Sequence, residues 1–283
     1  MTDPLPPASD TPSQNFTVAF IGGGNMASAL IGGLIAKGMS PNHITVVEPW
    51  EQARATLKDS FGIDAQEQPG TQLRDAGLVV WAIKPQVFRE AALKARPLTS
   101  DALHLSVAAG IRSSSIAQWL GTERIVRAMP NTPALIGRGM SGLYARKAVS
   151  ADERQRVEQL IQPTGEFLWV EQEPQLDAVT AMSGSGPAYV FYFLEAMARA
   201  GENLGLSHEQ SLQLAMATFA GASELARRSD AGSAELRQRV TSKGGTTHAA
   251  IESLQHAEVG AALERAIAAA ERRARELGEE FGT

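Results

Sequence analysis

An apolar run that ends in three consecutive glycines constrains this chain more than any other stretch. In FTVAFIGGGNMASALIGGLIAKG, β-branched and aromatic residues lead into Gly22-Gly23-Gly24-Asn25-Met26-Ala27, and an Ala- and Leu-rich helical run follows at once. A strand must turn sharply into a helix there. Gly22 permits the turn, Gly24 lets the backbone approach a ligand closely, and Ala27 lets helix and strand pack together. Backbone N–H groups at the start of the helix favour an anion. The G-x-G-x-x-A spacing in this setting is the dinucleotide fingerprint, with Gly22, Gly24, Asn25, Met26 and Ala27 around the pyrophosphate.

Six more β-rich runs follow, ITVVE, LVVWAIK, LHLSVAA, IVRAMPN, GLYAR and FLWVE, separated by helical segments. That alternation predicts an α/β domain over 16–172, a parallel sheet with helices on both faces. Its ligands belong outside the carboxyl ends of the strands. Glu48 ends the second run and is either the acidic side chain that accepts hydrogen bonds from an adenosine ribose, which favours NADH, or an ordinary exposed strand-end carboxylate. Arg54 and Lys58 on the next helix are the nearest cations for a 2′-phosphate, so NADPH and NADH both stay open. Ala82-Ile83-Lys84-Pro85 ends the third run. Pro85 keeps Lys84 out of the helical region, and Lys84 is either a cofactor contact or a solvent-facing lysine. In Val107-Ala108-Ala109-Gly110, the small Ala108 and Ala109 leave room for a nicotinamide.

Outside this domain the sequence changes character twice. Residues 1–15 combine Pro, Ser, Asp and Thr with few apolar side chains and are predicted to be a disordered tail. From 173 to 283 the chain is rich in Ala, Leu, Glu and Arg at helical spacing, with Pro187 suited to a first helical turn and Ser207 to an N-cap. Several of these helices are apolar over more of their circumference than one core requires, which favours a homodimer core over a bundle closed within one chain. No stretch offers about 20 uninterrupted apolar residues and the first residues lack a signal-peptide pattern, so a cytoplasmic protein without a membrane partner is expected.

The 283 residues include no cysteine and carry a net charge of −5 with scattered Lys and Arg. Thiolate chemistry is excluded and nucleic acid is not an expected partner. His248, Glu252 and His256 share a helix face, but the spacing reads as a solvated face, and no metal is expected.

Four segments in order, IGGGNMASALIGGL, AIKPQ, RAMPNTPALIGRG, and the pair DAVTAMSGSGPAYVFYFLEAM and VTSKGGTTHAAI, resemble the pyrroline-5-carboxylate reductase family, and together they span residues 18 to 270. The resemblance implies an N-terminal Rossmann-type parallel sheet followed by an all-α dimerisation domain. It further implies NADPH or NADH as reductant, 1-pyrroline-5-carboxylate as substrate, and the last step of L-proline biosynthesis. Higher assemblies, commonly pentamers of dimers, are implied too. Where the family usually shows T-S-P-G-G-T-T, this chain has Lys243 in place of proline, which puts the rigidity of that loop in question.

A cyclic imine with a carboxylate needs an anion pocket and a hydrogen bond near its nitrogen. Gly244 and Gly245 permit a turn whose N–H groups converge on the carboxylate, Thr246 and Thr247 open the next helix, and Ser242 adds a hydroxyl. By resemblance, Thr247 hydrogen-bonds the ring nitrogen and can pass it a proton. Ser183-Gly184-Ser185-Gly186-Pro187 lacks the preceding strand of a hydrolase elbow, so it reads as a close-packing turn with Ser185 as a substrate contact. Two rivals remain: a β-hydroxyacid dehydrogenase, which needs a lysine on a buried helix, and a homologue that has lost catalysis.

Overall fold

The structure is a computed structural model that describes residues 17–281; the tail expected over 1–15 lies outside the described residues. Two compact units are present, 17–184 with 271–281, and 185–270.

The first unit contains seven strands, β1 (Val18–Ile21), β2 (Ile44–Val47), β3 (Leu78–Trp81), β4 (Leu103–Ser106), β5 (Ile125–Met129), β6 (Gly139–Ala145) and β7 (Gly165–Trp169), in the order 2-1-3-4-5-6-7. The helices α1 (Asn25–Ala36), α2 (Glu51–Phe61), α3 (Pro85–Ala95), α4 (Ser113–Leu120) and α5 (Ala151–Ile161) alternate with them. Side chains of β1 divide by parity. Val18 and Phe20 join Leu30 of α1, Leu57 of α2 and Leu160 of α5, while Ala19 and Ile21 join Phe88 of α3 and Ile116 of α4. Both faces of the sheet are therefore covered. That is why β1 and β3 read VAFI and LVVW, with every residue buried and no polar alternation.

Strands β2, β1, β3, β4 and β5 are parallel, as the alternating pattern predicts. The pairing then reverses, because β6 lies antiparallel to β5, and β7 follows β6 in parallel. Chain length explains the reversal. Only the short turn Thr132–Ile136 separates β5 from β6, too little for a crossover, whereas α5 lies between β6 and β7.

A polar pair is buried beneath the strand ends. Trp81 Nε1 donates to His104 Nδ1 at 3.1 Å, so the ring proton is on Nε2, which donates to the Thr99 carbonyl at 3.2 Å. Burial pushes the His104 pKa down to about 4, against a smaller upward pull from the Thr99 hydrogen bond.

After β7 come α6 (Gln175–Val179) and a π-helical turn, Thr180–Gly184. The second unit follows, with α7 (Gly186–Asn203), α8 (His208–Arg227), α9 (Ser233–Arg239) and α10 (Thr246–His256); α11 (Val259–Phe281) begins in it, and its residues from 271 onward count with the first unit. Ser207 caps α8 in a reciprocal pair with Gln210, at 3.1 and 3.0 Å. Small residues let α7 and α8 approach, for Ala198 and Ala215 are buried and a Cβ on Gly201 would come within 2.4 Å of Ser211 Oγ. Phe191, Tyr192, Leu214 and Leu225 stay more than half exposed, so these helices bury little of their apolar surface within one chain. Among the described residues no helix is long and apolar enough to cross a membrane.

Candidate functional site

From β1 the chain goes first to β2 on one side and then to β3 on the other, which makes the carboxyl ends of β1 and β3 the switch point of the sheet. Gly22 has φ +99°, and a Cβ there would meet the Ala82 carbonyl at 2.4 Å and Ile83 Cγ2 at 2.7 Å. The loop leaving β3 thus presses directly on the fingerprint. Gly23 is equally confined, by Leu57 at 2.6 Å, but Gly24 has nothing within 4 Å of its Cβ position. Gly24 marks the open side of the cradle.

The N-cap of α1 is Gly24, which brings no capping side chain, so the first-turn amides of Asn25, Met26 and Ala27 have neither a cap nor a carbonyl one turn back. No acidic residue occupies that turn, and Ala27 is fully buried beneath it. Uncapped donors on an open backbone surface fit a dinucleotide pyrophosphate.

Glu48 lies beside this cradle, where its Oε2 accepts the Gly23 N–H at 2.7 Å and its Oε1 the Trp50 N–H at 2.9 Å. Lys84 is the exposed N-cap of α3, extended at φ −66° and ψ 145°, with Pro85 opening the helix. Val107 ties the β4 loop to the end of β3 through the Trp81 carbonyl at 3.1 Å. In that loop Ala108 is buried and Ala109 half-buried, so Ala109 is the more accessible of the two small residues. The structure brings Gly22, Gly24, Glu48, Ala82 and Ile83 to one end of the sheet.

Sequence reasoning missed two features of this unit. Asn131, just beyond β5, accepts the Met140 N–H at 2.9 Å and donates to the Ser183 carbonyl and hydroxyl at 3.2 and 3.1 Å, clamping the π-helical turn to the start of β6. Its place after a strand end was the available signal. Glu173 accepts from the Ser113 backbone and hydroxyl at 2.5 and 2.6 Å and from Arg127 at 2.8 Å. Burial alone would raise the Glu173 carboxyl, but the Ser113 hydrogen bonds and the Arg127 charge outweigh it and hold the group below its usual range. With the 2.9 Å Arg112–Asp177 pair, these bonds fasten residues 173–177 to the sheet. An arginine inside the apolar run IVRAM was the trace of this network.

In the second unit the SKGGTT segment is a tight turn that opens α10. Gly245 N–H donates to the Ser242 carbonyl at 3.0 Å, and Gly244 has φ +73°, the left-handed third position of such a turn. The Gly245 amide therefore closes the turn. The first-turn amides of Thr246, Thr247 and His248 begin a helix whose N-cap, Gly245, has no side chain, an arrangement that can receive an anion. Ser242 Oγ lies over Gly245, within 2.6 Å of where a Cβ would be, and Thr247 is half-buried. Ser185 is the N-cap of α7, and its hydroxyl does not cap that helix. His248 Nδ1 is 3.3 Å from Glu252, and among the described residues no group of three His, Asp or Glu is placed to hold a metal.

Comparison with known proteins gives two family matches. Residues 173–277 match the model for pyrroline-5-carboxylate reductase dimerisation, and residues 17–110 match one for coenzyme F420-dependent NADP oxidoreductases. A pyrroline-5-carboxylate reductase of Pseudomonas aeruginosa is 46% identical over 94% of this chain and 98% of its own. The solved pyrroline-5-carboxylate reductase of Coxiella burnetii superposes with TM-score 0.87 at 36% identity, over 93% of this chain and 98% of the other. That of Plasmodium falciparum, with NADP bound, gives 0.84 at 28% identity, over 94% and 99%.

Proposed function

The chain belongs to the pyrroline-5-carboxylate reductase family and reduces the C=N bond of 1-pyrroline-5-carboxylate to L-proline with hydride from NAD(P)H, the last step of L-proline biosynthesis; within that reaction we propose that the Ser242–Thr247 turn holds the substrate. The observation that carries this role is the turn itself, closed by the Gly245 amide, with Gly244 at φ +73° and a helix opening at Thr246. Amides of Thr246 and Thr247, with the Ser242 hydroxyl, receive the substrate carboxylate, and the positive end of α10 adds to the attraction. The Thr247 hydroxyl bonds the ring nitrogen. A protonated imine accepts hydride at carbon without a strong acid, so Thr247 need only orient the ring and keep its N–H proton in place. Ser185 is assigned as a further substrate contact.

Coenzyme binding falls to residues 16–172, through Gly22, Gly24, Asn25, Met26 and Ala27 at the pyrophosphate, Glu48 at the ribose, and Ala82, Ile83, Lys84, Pro85, Ala108 and Ala109 along the neighbouring strand ends. Residues 173–283 carry dimerisation and substrate binding. The protein is a homo-oligomer. The finer assembly we infer is a homodimer joined through the C-terminal helices, supported by the open apolar faces of α7 and α8, repeated as a pentamer of dimers in the cytoplasm. Light scattering would then give about ten times the 30.1 kDa of one chain.

The reaction is tested by following NADH and NADPH oxidation with 1-pyrroline-5-carboxylate in wild type and Thr247→Ala. Wild type turns over, and the variant loses about 100-fold in kcat/KM with its unfolding curve unchanged. Turnover equal to wild type would remove Thr247 from the site.

A further inference from the structure

The end of α11 lies on the loop that leaves β4, and each side of that contact supplies a glycine. Along the helix Ala274 and Gly278 are buried and Leu277 and Phe281 half-buried, a face at helical spacing, while Glu279 and Glu280 stay exposed. Gly278 has an ordinary helical φ, and in a helix glycine costs about 1 kcal/mol relative to alanine. The helix does not call for it; the neighbour does. A Cβ on Gly278 would come within 2.9 Å of Arg112 Nε and Nη2.

A guanidinium at the end of a long side chain would ordinarily step aside, but this one is tethered. Arg112 Nη2 is 2.9 Å from the carboxylate of the buried Asp177, and the Arg112 carbonyl accepts the Ser115 and Ile116 N–H groups that open α4. Displacing the guanidinium would take the cation from a buried carboxylate. Two residues earlier, Gly110 has φ +73°, and a Cβ on it would meet Leu277 Cβ at 3.1 Å and the Leu277 carbonyl oxygen at 3.4 Å. Phe281 adds to the contact by packing against the apolar cluster that holds Ala108 and Ile111. The β4 loop is thus gripped at Gly110 and Arg112 from the far end of the chain.

We propose that the end of α11, residues 274–281, is a positioning element for the coenzyme, which braces the β4 loop so that Ala108 and Ala109 keep the shape that receives the nicotinamide. The inference rests on the assignment of those two alanines to the coenzyme and deepens it. Ala108-Ala109-Gly110 brings only two methyl groups, too little side chain to fix its own backbone, and α11 supplies the packing from outside. A loop already held in its bound shape has less to order when coenzyme arrives, so the brace acts on affinity.

The test reads NADH and NADPH binding by their fluorescence in the full-length protein, alongside steady-state kinetics with 1-pyrroline-5-carboxylate. Gly278→Ala, whose new Cβ displaces Arg112, should raise the Kd of the coenzyme that wild type binds more tightly about fivefold, with the imine KM and the kcat at saturating coenzyme within about twofold of wild type. Arg112→Met, whose thinner side chain leaves room for that Cβ, should weaken the coenzyme by a similar factor, and adding Gly278→Ala to it should change little more. Thermal unfolding of each variant separates a lost contact from a lost fold. Wild-type coenzyme affinity in either single variant, losses that multiply in the double variant, or an imine KM that rises with the Kd of the coenzyme overturns the inference. If wild type binds neither coenzyme, the dinucleotide reading itself fails and the inference falls with it.

Discussion

Two glycine-rich turns open helices in this protein, and their glycines are there for different reasons. In the cradle after β1, Gly22 and Gly23 are hemmed in by Ala82, Ile83 and Leu57, so the surrounding sheet dictates residues without a Cβ. In the turn before α10, Gly244 has open space around its Cβ position and only its φ of +73° favours glycine. The first turn is specified by tertiary packing, the second by local backbone conformation. The proposed dinucleotide site thus lies on a rigid sheet end, and the proposed substrate site on a short self-contained turn.

Substituting each glycine by alanine should expose that difference. In Gly22→Ala the new Cβ meets a backbone carbonyl at 2.4 Å in a left-handed conformation, so strain and overpacking add. A loss of about 4 kcal/mol is expected by chemical denaturation, together with loss of ADP-ribose binding. A loss below about 1 kcal/mol would mean that the β3 loop yields, and that the cradle is not set by the sheet.

Acid should separate the units next. The folded His104 pKa of about 4 lies below the ordinary value near 6.5, so the unfolded chain binds the extra proton. The stability is complete above about pH 6.5 and falls as pH drops toward 4, by about 3 kcal/mol. Glu173 and Glu153, both held below the usual carboxylate range, lose their contributions only at lower pH. Hydrogen exchange between pH 7 and 5 should therefore rise in the strands around Trp81 and His104 before it rises in α8. Replacing His104 by Gln should flatten the slope; if the slope persists, another group carries it.

The contrast between the turns also explains what was legible in the sequence. Strands such as VAFI and LVVW announce themselves because burial on both faces leaves no room for polar residues, and Gly22 and Ala27 follow from backbone geometry that any such nucleotide site requires. The antiparallel β6 was hidden because the run GLYAR does not encode direction; the shortness of 130–138 does. SKGGTT carries no comparable generic signature, and its assignment came from resemblance. Even then the sequence could not tell that the Gly245 amide closes the turn while Thr246 and Thr247 open the helix, since that depends on where the helix starts. Asn131 and Glu173 were unreadable for the same reason, because their partners Ser183 and Ser113 are 52 and 60 residues away.

For the second turn the expected effects are smaller. Gly244→Ala adds a Cβ that meets no atom, so only the left-handed φ opposes it, at about 1 to 2 kcal/mol. Substrate affinity should fall with little change in coenzyme binding. A loss as large as that of Gly22→Ala would show that hidden packing shapes this turn as well.

The smallest effect should have the opposite sign. Lys243 follows the first residue of the turn and precedes the left-handed Gly244, the position at which proline's fixed φ suits a turn of this kind. Its side chain is exposed and its N–H closes no bond of the turn, since that role belongs to Gly245. Lys243→Pro should therefore stabilise by about 0.5 kcal/mol, through fewer conformations of the unfolded chain, with no new contact in the folded one. Thermal unfolding reads the gain, and L-proline binding reads the charge. If the variant is more stable and binds L-proline as wild type does, Lys243 has no part in holding the carboxylate and the helix-opening amides suffice. If affinity falls while stability rises, the lysine charge contributes to the site, and the turn is less self-contained than its backbone suggests.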